Sequence, residues 1–419
     1  MPASAHFKLW MKLKAEALKP STSKSMPLEY PKEYPLEEEH TPHYNPRQYY
    51  PVEIGQVLGK RYEIILKLGY GTSSTVWLAR DKKKLPWKKD QFVTVKVANT
   101  GFINILSAEQ EKVALRYLAE ANPKHRGYRY ITKLLDDFTI RSPEGRHVCL
   151  VFEPMREPLW LFQKHWDDNK FPIPIFKRLV KLLLEGVDYI HTKGRLIHTD
   201  IKPDNILVGF ENDQVLLDHI EKALQNPPPT KHTPYRTIYK SNNDFGTLLG
   251  PPKQLQIADF GLCFWADSVH PRQPLGQANR FKAPEAILRA PWSYSVDIFN
   301  LGVTLWNMLE NRMLFWGRDP RTGRYSELCH VAEMIAVLGP PPRALLERSK
   351  RAKRYFRENG QFLAPNLVPH NLSLESTVVS LHGEERLKFL RFARRMLRWI
   401  PEERATAAEL LGDPFLWGA

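Results

Sequence analysis

The sequence predicts an α+β protein in two lobes, a small strand-rich one followed by a larger helical one. At 419 residues the chain exceeds what one hydrophobic core usually organises. Strand-like runs dominate its first part: "RYEIILKL" (61–68), "TVWLAR" (75–80), "FVTVKVA" (92–98) and "HVCLVFE" (147–153). One helical pattern, 107–120, interrupts them. Beyond residue 156 the period changes, with Ile175, Leu179, Leu183, Val187 and Ile190 at helical spacing and Leu387, Leu390, Ala393 and Leu397 repeating it.

The expected organisation is a coil-like extension over 1–51, an N-lobe over 52–156 and a C-lobe over 157–419. The extension is basic at first; Phe7, Leu9, Trp10, Leu13 and Leu18 fall on one face if it winds into a helix. It then becomes rich in Pro, Tyr and Glu ("PLEYPKEYPLEEEHTPHYNPRQYYP", 27–51), a composition that favours extended chain. Residues 210–253 read as a spacer inserted in the C-lobe, with prolines clustered at 227–229 and little periodicity. A loop of that length in a compact domain is usually functional or mobile.

Bulk composition excludes several classes. With 42% hydrophobic and 26% charged residues the chain reads as globular, not as a disordered or fibrous protein. Cys149, Cys263 and Cys329 show no CxxC spacing, which argues against a disulfide framework or a structural zinc site and for a reducing compartment. No run approaches the ~18 apolar residues of a membrane span, and no secretory leader pattern opens the chain. The expectation is a monomer away from membranes, in the cytoplasm and/or nucleus, with a mitochondrial presequence at the basic N-terminus as the lesser alternative. A net charge of +15 invites an anionic partner without choosing which one. Zinc-finger and RNP-type spacings are absent.

Chemistry-bearing motifs follow in order. In "KLGYGTSSTVWLARD" (67–81), Gly69 and Gly71 lie in a turn between strands, where missing Cβ atoms let backbone N–H groups approach phosphate oxygens. Ser74 stands where G-x-G-x-x-G would have its third glycine, and Val76 follows. Lys96, between valines in "VTVKV", needs a partner for its charge. Glu111 shares a helical face with Leu115 and Leu118 and is the candidate, with Glu109 as runner-up. "LVFEPM" (150–155) is a strand that stops at a proline. In "HTDIKPDN" (198–205), Asp200 can orient an attacking hydroxyl and Lys202 brings positive charge close by. Asn205 and then Asp259 of "ADFGL" (258–262) are oxygen ligands suited to magnesium.

This order of motifs resembles a eukaryotic-type protein kinase, and specifically the SR-protein kinase group as it occurs in fungi. The resemblance covers roughly residues 38–419 and rests on "YYPVEIGQVLGKRYEIILKLGYGTSSTVWLARD" (49–81), "LIHTDIKPDNIL" (196–207), "GRDPRTGRYSELCHVAEMIAVLGPPP" (317–342) and "MLRWIPEERATAAELLGDPFL" (396–416). It implies a bilobal kinase-like fold and a serine/threonine kinase using ATP and Mg2+ on a protein substrate. It implies Asp200, Lys202, Lys96 and Glu111 as catalytic, and Asn205 and Asp259 as metal ligands. Leu68, Gly69, Gly71, Val76, Thr94, Lys96, Phe152, Glu153, Met155 and Leu207 are implied around the nucleotide. Glu285 of "FKAPEAIL" would pair with Arg404, and Asp297 would brace the catalytic loop. Kinases of this group also carry a spacer like the one over 210–253.

Departures sharpen the expectations. Thr94 replaces a small alanine against the adenine, and Phe281-Lys282 replace Tyr-Arg. Thr199 replaces the arginine that a phosphorylated activation loop would neutralise. Between Asp259 and Glu285 only Ser268 could accept phosphate. Both features predict activity without activation-loop phosphorylation. Related kinases hold Arg-Ser repeats near the segment equivalent to 312–330, whereas here Arg312, Arg318, Arg321 and Arg324 outnumber Asp319 and Glu327. That charge predicts a drifted substrate preference. The alternative reading is a pseudokinase acting as a nucleotide- or partner-binding scaffold.

Overall fold

A computed structural model describes residues 28–83, 91–250, 252, 254–267 and 277–417. The basic segment over 1–25 and Ser268 therefore lie outside the described residues. The chain divides into two compact units. The first gathers residues up to 112 with 133–157 and 209–253; the second gathers 113–132, 158–208 and everything from 254.

The first unit is built on a six-stranded antiparallel sheet: β1 (Val57–Leu58), β2 (Tyr62–Tyr70), β3 (Ser74–Asp81), β4 (Phe92–Ala98), β5 (Leu134–Ser142) and β6 (Gly145–Phe152), in the order β1-β2-β3-β4-β6-β5. Four strands match the expected apolar runs. β5 was not expected, because Asp136 and Asp137 interrupt its alternation. Alternation places Trp77, Val93, Val95 and Cys149 in one core cluster and Leu66, Leu78 and Phe92 in another. Register shifts in β2, between Ile64 and Leu66 and between Lys67 and Gly69, alter which face its side chains meet. The helix Phe102–Ala121 is longer than the 107–120 pattern suggested.

The 210–253 insert differs from its sequence reading in two respects. Its contacts place it in the first unit, not in the C-lobe. It is also structured, with a helix (Asp213–Gln225) and a hairpin (Thr230–His232 with Thr237–Tyr239). Asn212 caps the helix by accepting from the amides of Gln214 and Val215. Val215, Leu216, Ile220 and Ala223 then form an apolar face that packs on Leu66, Leu68 and Leu78. The hairpin covers another part of the sheet, with Tyr239 edge-on to Trp77 at 5.7 Å between centroids. Burial of this apolar face is what orders a segment that looked aperiodic.

The second unit is mainly helical. Its long helix Ile173–Thr192 buries the expected stripe, Leu179, Leu183, Val187 and Ile190 included. Helix Ser295–Glu310 is buried nearly all round, as a core helix must be to carry apolar residues on every face. Two short antiparallel pairs, 206–208 with 255–257 and 196–197 with 264–265, flank the loops that hold the candidate residues Asp200, Asn205 and Asp259. No described helix is long and apolar enough to cross a membrane.

Candidate active site

In the first unit, β2 and β3 meet at the glycine-rich turn, closed by the Gly71 amide donating to the Ser74 carbonyl (2.9 Å). A Cβ on Gly69 or Gly71 would meet no atom within 4 Å, and neither glycine has a positive φ. The fold itself does not require glycine at these positions. The absence of Cβ atoms leaves the backbone of this turn open to close approach. Ser74 is buried, so its side chain is accommodated where the third glycine would be.

Lys96 on β4 donates from Nζ to Glu111 Oε2 at 2.7 Å. Glu111 is buried, and Lys96 is only partly so. The runner-up Glu109 is engaged elsewhere, with Lys112 and with Arg146 at 2.9 Å. Thr94 pairs across the sheet with Phe152 and is buried. Leu68, Phe152 and Met155 are buried as well, whereas Glu153 is exposed and Val76 is half-buried; Gly69 lies within β2, paired with Val76.

Sequence reasoning missed Arg156, next to Met155. Its guanidinium is fully buried; Nη1 donates to both Glu211 oxygens (3.0 and 2.9 Å), Nε contacts Glu157 and Nη2 donates to the Gly246 carbonyl. The Leu249 amide also donates to Glu211 (3.1 Å). Both ends of the insert thus close on one arginine. An arginine beside Met155 and Glu157, with a proline on either side of the three, was the available signal, but its Glu211 partner lies 55 positions away.

In the second unit, the catalytic-loop candidates converge. Asp200 Oδ2 accepts from Lys202 Nζ (2.5 Å) and Asn205 Nδ2 (2.9 Å), and Asn205 Nδ2 also reaches the Asp200 carbonyl. Asp200 Oδ1 is buried with no hydrogen-bond partner. His198 Nδ1 accepts the Asp200 amide at 3.2 Å, so its Nε2–H donates to the Ala258 carbonyl at 3.0 Å. The ring of buried Phe260 packs against that imidazole at 4.8 Å. These contacts tie the DFG segment to the catalytic loop. Asp259 itself adopts a left-handed backbone, φ +66°. Leu207 is half-buried, in the strand paired with Gln256.

Asp297 braces the loop from below. Its carboxylate accepts the His198 amide and the Thr199 amide (2.7 Å each) and meets His191 Nε2 at 2.8 Å. Thr199 is held at φ +69°, a costly conformation for a β-branched residue that these bonds sustain. Glu285 and Arg404 are both fully buried and pair bidentately at 2.5 and 2.7 Å.

The protein kinase domain family matches residues 62–416. The chain belongs to the protein kinase family. The kinase is 34% identical to a serine/threonine protein kinase of Aspergillus fumigatus over 91% of each chain. It is 29% identical to the serine/threonine-protein kinase SRPK of Physarum polycephalum, again over 91% of each, and 37% identical to SRSF protein kinase 3 of Mus musculus over 88% of each. A solved kinase-domain structure covers 88% of this chain with 99% of its own, at 22% identity and a TM-score of 0.66, which supports the bilobal fold class. The kinase is thus a serine/threonine kinase similar to the SR-protein kinases, and none of these observations favours the scaffold alternative.

Membership implies ATP as phosphoryl donor, typically with Mg2+, and a protein substrate. The donor set fits that ion. Among the described residues no group of three or more His, Cys, Asp or Glu forms a dedicated metal cage. Magnesium prefers one or two protein oxygens completed by phosphate and water, which is what Asn205 and Asp259 offer.

Proposed function

We propose that the kinase phosphorylates serine or threonine with Asp200 as the residue that orients the acceptor hydroxyl. The supporting observation is the division of labour within its carboxylate. Oδ2 is fixed by Lys202 and Asn205, while buried Oδ1 has no partner. A carboxylate oriented in this way accepts a hydroxyl proton without first reorganising. Lys202 neutralises charge next to it, and Lys96, positioned by Glu111, engages nucleotide phosphate. Asn205 and Asp259 hold Mg2+, which when bound offsets charge on the phosphates.

The reading extends to substrate choice. Arg318, Arg321 and Arg324 are exposed on a turn closed by the Asp319 amide to the Arg324 carbonyl and the Gly323 amide to the Asp319 carbonyl (2.8 Å each). The nearby carboxylates are already engaged. Asp319 accepts the Arg321 amide at 2.8 Å, Glu327 meets Lys282 at 2.9 Å and Tyr355 at 2.8 Å, and Glu333 accepts the Trp316 and Gly317 amides. Exposed Arg280 stacks on Trp316, 4.5 Å from guanidinium carbon to ring centroid. Such a surface favours neutral or acidic surroundings at the phosphorylated serine over arginine-rich ones. The test is a peptide library with ATP and Mg2+. Neutral or acidic serine peptides turn over with higher kcat/KM than Arg-Ser repeats; the reverse order removes the drifted-substrate reading, and no turnover on any peptide removes the catalytic one.

A further inference from the structure

The glycine-rich turn is held from outside the sheet. Tyr49, in the segment preceding β1, directs its hydroxyl at the Gly71 and Thr72 carbonyls (3.3 and 3.2 Å). The same Thr72 carbonyl accepts from Asn99 Nδ2 at 3.1 Å, and the Asn99 amide donates to the Ser73 carbonyl at 2.9 Å. The tip of the turn, the part that approaches phosphate, is thereby fixed through its carbonyls.

The strand leading into the turn is held as well. Lys67, two residues before Gly69, is completely buried and pairs with Glu38 of the N-terminal segment, which is equally buried. Its Nζ also donates to the Tyr239 carbonyl at 3.1 Å. Its own backbone carbonyl accepts the Asn242 amide at 2.8 Å, so the insert contacts this residue twice. Glu38 simultaneously pairs with buried Arg236 of the insert hairpin. Arg236 in turn lies under the Tyr49 ring, 5.0 Å from its centroid. A second pair, Lys231 with Glu39 at 2.8 Å, repeats the link between insert and N-terminal segment.

The charges in this cluster balance. Glu37, Glu38 and Glu39 oppose Lys67, Lys231 and Arg236. Burial pulls the Lys67 pKa down, and the neighbouring glutamates oppose that shift. Buried ion pairs are weak evidence for stability, since apolar residues of similar size often serve as well. Here they join the N-terminal segment, β2 and the insert at defined contacts.

We propose that the N-terminal segment and the insert together supply positioning residues for nucleotide binding: Tyr49 acts directly on the glycine-rich turn, and Glu38 with Arg236 acts through Lys67. The proposal rests on the reading of Gly69 and Gly71 as a phosphate-binding turn. A turn held in its binding geometry loses less conformational freedom when a nucleotide docks, and affinity rises accordingly.

The decisive variant is Tyr49→Phe in the full chain, which removes one hydroxyl and keeps the ring over Arg236. A fluorescent ADP analogue reports nucleotide affinity, steady-state kinetics separate the KM for ATP from that for peptide, and hydrogen exchange follows the amides of 69–76 without nucleotide. The loss of one hydrogen bond corresponds to a two- to tenfold weaker nucleotide Kd and higher ATP KM, about 0.5–1.5 kcal/mol. The peptide KM stays unchanged and exchange at the turn accelerates. Glu38→Gln gives a larger effect of the same kind if it folds. Unchanged affinity and unchanged exchange in Tyr49→Phe overturn the proposal, as does a fall in melting temperature with no effect on the turn. If the wild type binds no nucleotide, the phosphate-turn reading fails instead, and exchange in the nucleotide-free protein still decides whether Tyr49 holds the turn.

Discussion

The Thr199 hydroxyl donates a 2.8 Å hydrogen bond to the Leu262 carbonyl, joining the catalytic loop to the segment that follows Phe260. Close by, Phe264 and Trp265 pair as a short strand with Ile197 and Leu196. The start of the activation segment is therefore fastened by these neutral bonds, with an exposed Arg195–Asp267 pair (3.1 Å) beside them. No arginine at position 199 waits for a phosphate to compensate it.

Kinase produced in bacteria and treated with phosphatase accordingly retains full activity. Thr199→Val preserves the shape and deletes the bond, and lowers kcat about two- to tenfold, the equivalent of one hydrogen bond. Peptide phosphorylation before and after phosphatase treatment checks the first statement. Recovery of a dead enzyme by an upstream kinase contradicts it.

Asp200→Asn removes the carboxylate and leaves the neighbouring donors in place. It lowers kcat by about 10²–10⁴ with nucleotide affinity retained. Asp259→Ala instead raises the Mg2+ concentration needed for half-maximal activity. Measuring ADP-analogue binding and a magnesium titration for both variants distinguishes loss of the proton acceptor from loss of the metal ligand.

Lys96 and Glu111 are in contact at 2.7 Å, and the proposed mechanism has them act as a unit. Lys96→Met and Glu111→Gln should each lower kcat/KM, and the double variant should cost much less than the two losses combined. A double-mutant cycle on kcat/KM with a fixed peptide measures the coupling, about 0.5–3 kcal/mol for residues in contact. Additive losses would mean that the pair is not functionally coupled.

Glu285 and Arg404 serve structure. Both are fully buried, and Arg404 also donates to the Arg398 and Ser295 carbonyls. Glu285→Ala strands the guanidinium and destabilises the protein by about 3–5 kcal/mol. Denaturant unfolding checks this, and a change below 1 kcal/mol would show the pair to be unimportant.

Much of the candidate site was legible because its chemistry is local. "HTDIKPDN" brings Asp200, Lys202 and Asn205 together within eight residues, and the structure shows them hydrogen-bonded. Glu111 was preferred over Glu109 by helical register, which survives folding because a helix keeps its faces. By contrast β5 was missed, since its pairing with β6 compensates a sequence that alternates poorly.

Sequence by itself determined the reaction class, the order of the motifs and the uncharged residue at position 199. Tertiary structure alone decided what surrounds the glycine-rich turn. Glu38 and Arg236 stand 198 positions apart, and nothing in either local sequence names the other. Lys67 lies in β2, two residues before Gly69. Folding buried its charge completely, and a buried charge requires partners, which here come from the two segments that read as coil and spacer.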